Sequence, residues 1–176
     1  MQKKHNILVD IILFQFAWFA CVLSSVSPFP VLLPFLGSFF ILVRSSYTQG
    51  LPQLLPFVVS CLVMGLVGDA CLVYLGFINF SDYPSIFGVP FWMLLLWLNF
   101  GLMLHPLFEW FLNHRWRCLL GFSLGGALAY YSGHKFGVLS FEQGWHSGLA
   151  VAIEWGLASF VFRHLHLKIN KERTIS

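Results

Sequence analysis

The stretch from Phe91 to Asn113, FWMLLLWLNFGLMLHPLFEWFLN, constrains the chain more than any other. It is long and apolar enough for one bilayer crossing, since about 20 helical residues at 1.5 Å each span a hydrocarbon core of roughly 30 Å. Yet it carries Asn99, His105 and Glu109. An unpartnered polar group in lipid costs on the order of several kcal/mol, so this helix needs neighbours that satisfy those groups. Other apolar runs supply them. The chain is 58% hydrophobic and 10% charged, with 20 Phe among its 176 residues. A soluble domain of this size could not cover so much apolar surface with so few charges. The expectation is an all-α, polytopic membrane helix bundle, one integral membrane domain over residues 1–176, with six transmembrane spans.

Taken in order, span one covers Ile7 to Ser27 as a retained first span, because its apolar run is too long for a cleaved leader and the chain stays hydrophobic beyond it. Span two, Phe29 to Val43, is short and interrupted at Pro34. Its fifteen residues give about 22 Å, so it either crosses with local thinning or is broken. Arg44 to Gly50 then reads as a polar loop. Span three is Leu54 to Gly76, span four the opening stretch, kinked by Pro106. Span five is Leu119 to Tyr131 and span six Trp145 to about Phe162, with a short basic tail. Gly121, Gly125, Ala129 and Gly133 recur every four residues on span five, a small-xxx-small pattern that predicts a close helix–helix seam. Gly148, Ala152 and Gly156 predict a second such face on span six.

Orientation follows from the basic residues. With the amino terminus inside and six crossings, Lys3, Lys4, Arg44, Arg115, Arg117, Arg163, Lys168, Lys171 and Arg173 fall on the inside, and Lys135 alone falls outside. This asymmetry matches the positive-inside rule and places both termini in the cytoplasm. It also accounts for the formal net charge of +3 without a nucleic-acid surface. The partners expected are membrane lipids and a membrane-protein partner; no nucleic acid is expected. Cys21, Cys61, Cys71 and Cys118 lack any paired spacing, so neither a metal site nor a redox motif is expected, and no cofactor.

Ionisable groups inside spans are the candidate functional residues. Asp69, flanked by Gly68, and Glu154 fall in the outer half of the membrane, where they could pair, share a proton or bind a cation. Tyr130, Tyr131, His134 and His146 fall at neighbouring depths. Gln15 belongs to the inner half and is expected to point into the bundle, and Asn99 lies near the middle; both read more readily as interhelical hydrogen-bond donors than as ligand contacts. His105 and Glu109, four apart and on one face, form a candidate catalytic pair in which the carboxylate orients the imidazole. The bland alternative makes every one of these groups a locally satisfied structural contact. A weak echo, with Gln15 and Asn99 84 residues apart and Asp69 and Glu154 85 apart, raises an inverted three-plus-three repeat as a further possibility.

Phe14 to Phe19 (FQFAWF), Gly68-Asp69 followed by Gly76, Trp92 through His105, and Tyr130 through Gly137 together resemble a family of small bacterial inner-membrane proteins catalogued as domain of unknown function 2878. The resemblance covers nearly the whole chain. It implies a multi-pass inner-membrane fold and no established activity, substrate or cofactor. Three functions compete at this point. An accessory protein binding a lipid or a partner protein draws on the small-residue faces and the lack of a strong catalytic arrangement. A small ion-coupled carrier would use Asp69 and Glu154 and needs a polar cavity around them. A lipid-modifying enzyme would use His105 and Glu109 and needs a cleft reaching the imidazole.

Overall fold

The computed structural model describes residues 6–49, 51–81 and 83–175, and the side chains of 51, 52 and 172–175 are not among those described. Lys3, Lys4, Gly50, Asp82 and the Arg173 side chain therefore lie outside the described residues. The chain folds into helices α1 (Ile7–Val22), α2 (Leu32–Gln49), α3 (Leu51–Tyr74), α4 (Phe91–Leu112), α5 (Arg115–Lys135) and α6 (Trp145–Ile175). Among the described residues four segments are long and apolar enough to cross a membrane: Ile7–Val26, Gln53–Tyr74, Phe91–Leu112 and Trp145–Lys171. Their outward surface is apolar, with Leu8, Ile12, Leu55, Val63, Ile153 and Leu157 exposed.

Helix α4 is the centre. It packs on α1, α2 and α3, and α6 packs on α5 and α3. Glycines set the closest approaches. A Cβ at Gly101 would stand 2.8 Å from the Val58 Cα, and one at Gly37 would stand 2.9 Å from the Ala17 Cα, so these two positions bring α4 onto α3 and α2 onto α1. The packing does not follow the three-plus-three echo, because α4 is enclosed by the first three helices while α1 makes no equivalent seam with α5 and α6.

Two short elements tie the loops together. Strand β1 (Ile78–Phe80), in the α3–α4 loop, pairs antiparallel with β4 (Leu139–Phe141), in the α5–α6 loop. Strands β2 (Ser85–Ile86) and β3 (Val89–Pro90) form a hairpin whose turn residues, Phe87 and Gly88, both have positive φ, the geometry of the tightest two-residue turns. Tyr83 Oη donates to the Pro30 carbonyl at 2.6 Å and fastens the α1–α2 connection to the same end. Three loops thus gather at one end of the bundle.

Helix α2 corrects the sequence expectation. Pro34 lies in its first turns without breaking it, and Arg44 to Gln49 continue the helix where a polar loop was expected. The reason is long-range. Pro106 has no N–H, which frees the Leu102 carbonyl one turn earlier in α4. Ser45 Oγ and Gln49 Nε2 reach that carbonyl at 3.3 and 3.4 Å, so the end of α2 is held by the defect in α4. The resulting 18 residues make α2 about 27 Å long. Helices α5 and α6 likewise outrun their expected ends, α6 by a further three turns or more that carry His166 onto Asn113.

Candidate functional site

Two features stand out, a buried polar node and an apolar cleft, and Trp97, Tyr130 and Trp155 belong to both. The node begins at Asp69, fully buried in the wall of α3. Its Oδ1 accepts from Tyr130 Oη of α5 at 2.5 Å and its Oδ2 accepts from Trp97 Nε1 of α4 at 2.9 Å. Each carboxylate oxygen thus has a charge-assisted donor, the arrangement that suits an ionised group away from water. Trp97 lies too deep for an interfacial anchor, and this hydrogen bond accounts for its depth. Gly65 makes the approach possible, because any side chain there would overlap the Trp97 indole.

Glu154 of α6 joins the same node. It is 9% exposed, and among the described residues neither of its carboxylate oxygens has a hydrogen-bond partner. The carboxylate occupies the space that a Gly68 side chain would fill, one residue from Asp69, and it interacts electrostatically with Asp69 and Tyr130. Trp155, next along α6, stacks on Trp97 with ring centres 4.5 Å apart and planes 20° apart. The structure therefore brings Asp69 and Glu154 together, on the neighbouring helices α3 and α6.

The cleft lies between α1 and α5 with α4 as its floor. It encloses about 470 Å³. Phe14, Gln15 and Trp18 of α1 form one wall and Gly125, Ala129 and Tyr130 of α5 the other, with Trp97 beneath. Trp18 and Phe19 meet Phe136 edge-on at 6.3 and 6.4 Å and join the two walls at the looped end. Along α5 the lining runs from Gly121 to Phe136, about 22 Å of helix.

The small-residue stripe on α5 is a helix contact only in part. Gly121, Gly125, Ala129 and Gly133 all border the cleft; at Gly121 the Phe111 ring of α4 takes the place of a side chain, whereas a Cβ at Gly125 would meet nothing within 4 Å. The α5–α6 seam is instead built one residue over. Gly126 receives the Trp155 ring, and Gly156 faces Ser123 and Leu119. A four-residue repeat shows that small side chains share a face, not that another helix covers it.

The remaining candidates are dispersed. Gln15, expected to point into the bundle, is exposed on the cleft wall. Asn99 is fully buried and its Nδ2 donates to Cys21 Sγ at 3.5 Å, a link between α4 and α1. His105 is half-buried, with its ring facing Phe57 at 6.4 Å and His166 at 5.6 Å, while Glu109 is exposed; neither lines the cleft. His134 stacks on Phe141, and His146 lies tilted against Trp145, both at the looped end.

Sequence reasoning missed two polar contacts near the opposite end. Asp10, only 1% exposed, accepts from Arg44 Nε at 2.7 Å and pins α1 to α2. Its signal was an aspartate inside an apolar run. His166, also fully buried, is 2.9 Å from Asn113 Oδ1 and 3.1 Å from Asn170 Nδ2. Among the described residues no group of three or more His, Cys, Asp and Glu side chains is arranged to hold a metal ion.

Over residues 7–161 the sequence matches a protein family described as "Protein of unknown function (DUF2878)". No curated protein and no solved structure is significantly similar to the chain.

Proposed function

The chain belongs to this family of proteins of unknown function, and from its geometry we propose that it is a six-span protein of the bacterial cytoplasmic membrane that holds the hydrocarbon chain of a lipid in the α1–α4–α5 cleft. The observation that carries the reading is the size of that cleft against its length. A hydrocarbon chain with a contact diameter of about 4.5 Å would need roughly 350 Å³ over the same 22 Å. The 470 Å³ of the cleft has room for such a chain. Its lining is mostly apolar and aromatic, with Gln15, Tyr130 and Ser132 as the polar minority, the composition usual for sites that bury an apolar ligand.

Six crossings with both termini cytoplasmic are supported by the loop contacts as well as by charge. The β1–β4 pairing and the Tyr83–Pro30 bond gather the α1–α2, α3–α4 and α5–α6 connections at one end. Arg115 and Arg117 lie at the other end, against Trp116 and Trp110 at 4.7 and 4.3 Å, cation–aromatic pairs suited to a membrane interface. The carrier and enzyme readings draw less support, since Asp69 and Glu154 are enclosed and His105 and Glu109 lie off the cleft wall.

Native mass spectrometry of the detergent-purified protein tests the proposal. Wild-type protein is expected to retain one lipid, and Gly125→Trp, which puts an indole into the cleft at a position where a Cβ meets nothing within 4 Å, to lose it. Equal lipid retention by a folded Gly125→Trp protein would refute it.

A further inference from the structure

We propose that Asp69 and Glu154 together form a binding site for one monovalent positive charge, either a proton or an alkali ion. The inference does not rest on the lipid reading. Two carboxylates share a small volume walled by Trp97, Trp155 and Tyr130, and no cationic side chain among the described residues pairs with either. Asp69 is provided for by its two donors. Glu154 is not: it is nine-tenths buried, neither of its oxygens has a donor among the described residues, and its carboxylate fills the space beside Gly68. Two like charges in low dielectric repel, and a buried carboxylate without donors is among the least stable groups a fold can hold. One positive charge between them removes both penalties. Glycine at 68 is what keeps the space clear, because a methyl there would overlap the Glu154 carboxylate.

The site has a route to the rest of the molecule. Tyr130 and Trp97 both donate to Asp69 and both line the cleft, so a charge bound at the carboxylates acts on two side chains of the cleft wall. The groups facing Glu154 are Asp69 and Cys71 from α3 and Tyr130 from α5, and Trp97 from α4 faces Asp69.

The stacked Trp97–Trp155 pair supplies the readout. Tryptophan emission and thermal midpoint of the full-length protein are followed while N-methylglucamine chloride is replaced by NaCl, KCl or LiCl at constant ionic strength, and separately while pH is varied from 5 to 9. A saturating alkali-dependent change, absent in Glu154→Gln, identifies an alkali ion; at a hundredfold excess over Kd it should raise the midpoint by roughly 5 to 10 °C. A single-proton transition insensitive to the alkali ion and absent in Glu154→Gln identifies a proton. Should Glu154→Gln not fold, Tyr130→Phe must shift the midpoint of whichever titration the wild type shows. A wild type that responds to neither variable, or a response unchanged by these substitutions, overturns the proposal.

Discussion

Gly125 and Gly126 are consecutive on α5 yet have opposite surroundings, so substituting each by alanine isolates what glycine does there. Both changes bring the same gain in helix propensity, about 1 kcal/mol. At 125 nothing within 4 Å opposes the new methyl. Gly125→Ala should therefore be as stable as wild type or better, by up to about 1 kcal/mol. At 126 the methyl overlaps the Trp155 ring. That ring cannot retreat freely, because it is stacked on Trp97, and Trp97 is held by its hydrogen bond to Asp69. Overpacking of a tight core costs about 1–3 kcal/mol, so the two variants should differ by about that amount. At roughly 2–4 °C per kcal/mol for a chain of this size, the gap is about 2–12 °C in Tm. Thermal unfolding in one detergent, followed by circular dichroism and by tryptophan emission, measures it directly. Gly126→Ala alone should also change the emission spectrum before melting. Equal midpoints and equal spectra for the two variants would refute the packing assigned to α5.

Arg44→Met removes the charge-assisted contact that ties Asp10 of α1 to α2 and is expected to destabilise by about 1–3 kcal/mol, with a smaller loss where Asp10→Asn is already present; denaturation midpoints decide. Tyr130→Phe removes one of the two donors to Asp69 and should cost about 1–3 kcal/mol, again read as a Tm shift. Ser45→Ala should cost about 0.5–1 kcal/mol in wild type but close to nothing beside Pro106→Ala, because alanine restores the N–H that satisfies Leu102; a double-mutant cycle reports the coupling. Cysteines introduced near Arg44 and near Lys168 should both be modified by an impermeant reagent only from the cytoplasmic side, which checks the six crossings.

Asp69 was the most legible of the site residues, because an acidic group beside glycine in an apolar run has few ways to be satisfied locally. Trp97 was marked by its depth and Tyr130 by its position along span five, but their convergence on one carboxylate depends on how α4 and α5 are rotated, which periodicity does not specify. The stripe at Gly121, Gly125, Ala129 and Gly133 carried a true signal about size; its signal about contact held at Gly121, against Phe111, and failed at Gly125. Helix ends were misjudged wherever distant groups satisfied polar residues. Arg44 to Gln49 look like a loop until Asp10 and the Leu102 carbonyl are placed beside them. The α6 extension looks like a solvated tail until His166 is seen against Asn113. Local composition favoured six apolar runs, and among the described residues α2 and α5 are the two helices not long and apolar enough by themselves to count as crossings.

The most direct measurement is a structure of the protein determined in lipid. Hydrocarbon density should lie along α5 from Gly133 to Gly121 and pass over Trp97. Ordered water filling that cleft, or side chains of α1 and α5 closed together over Gly125, would contradict it.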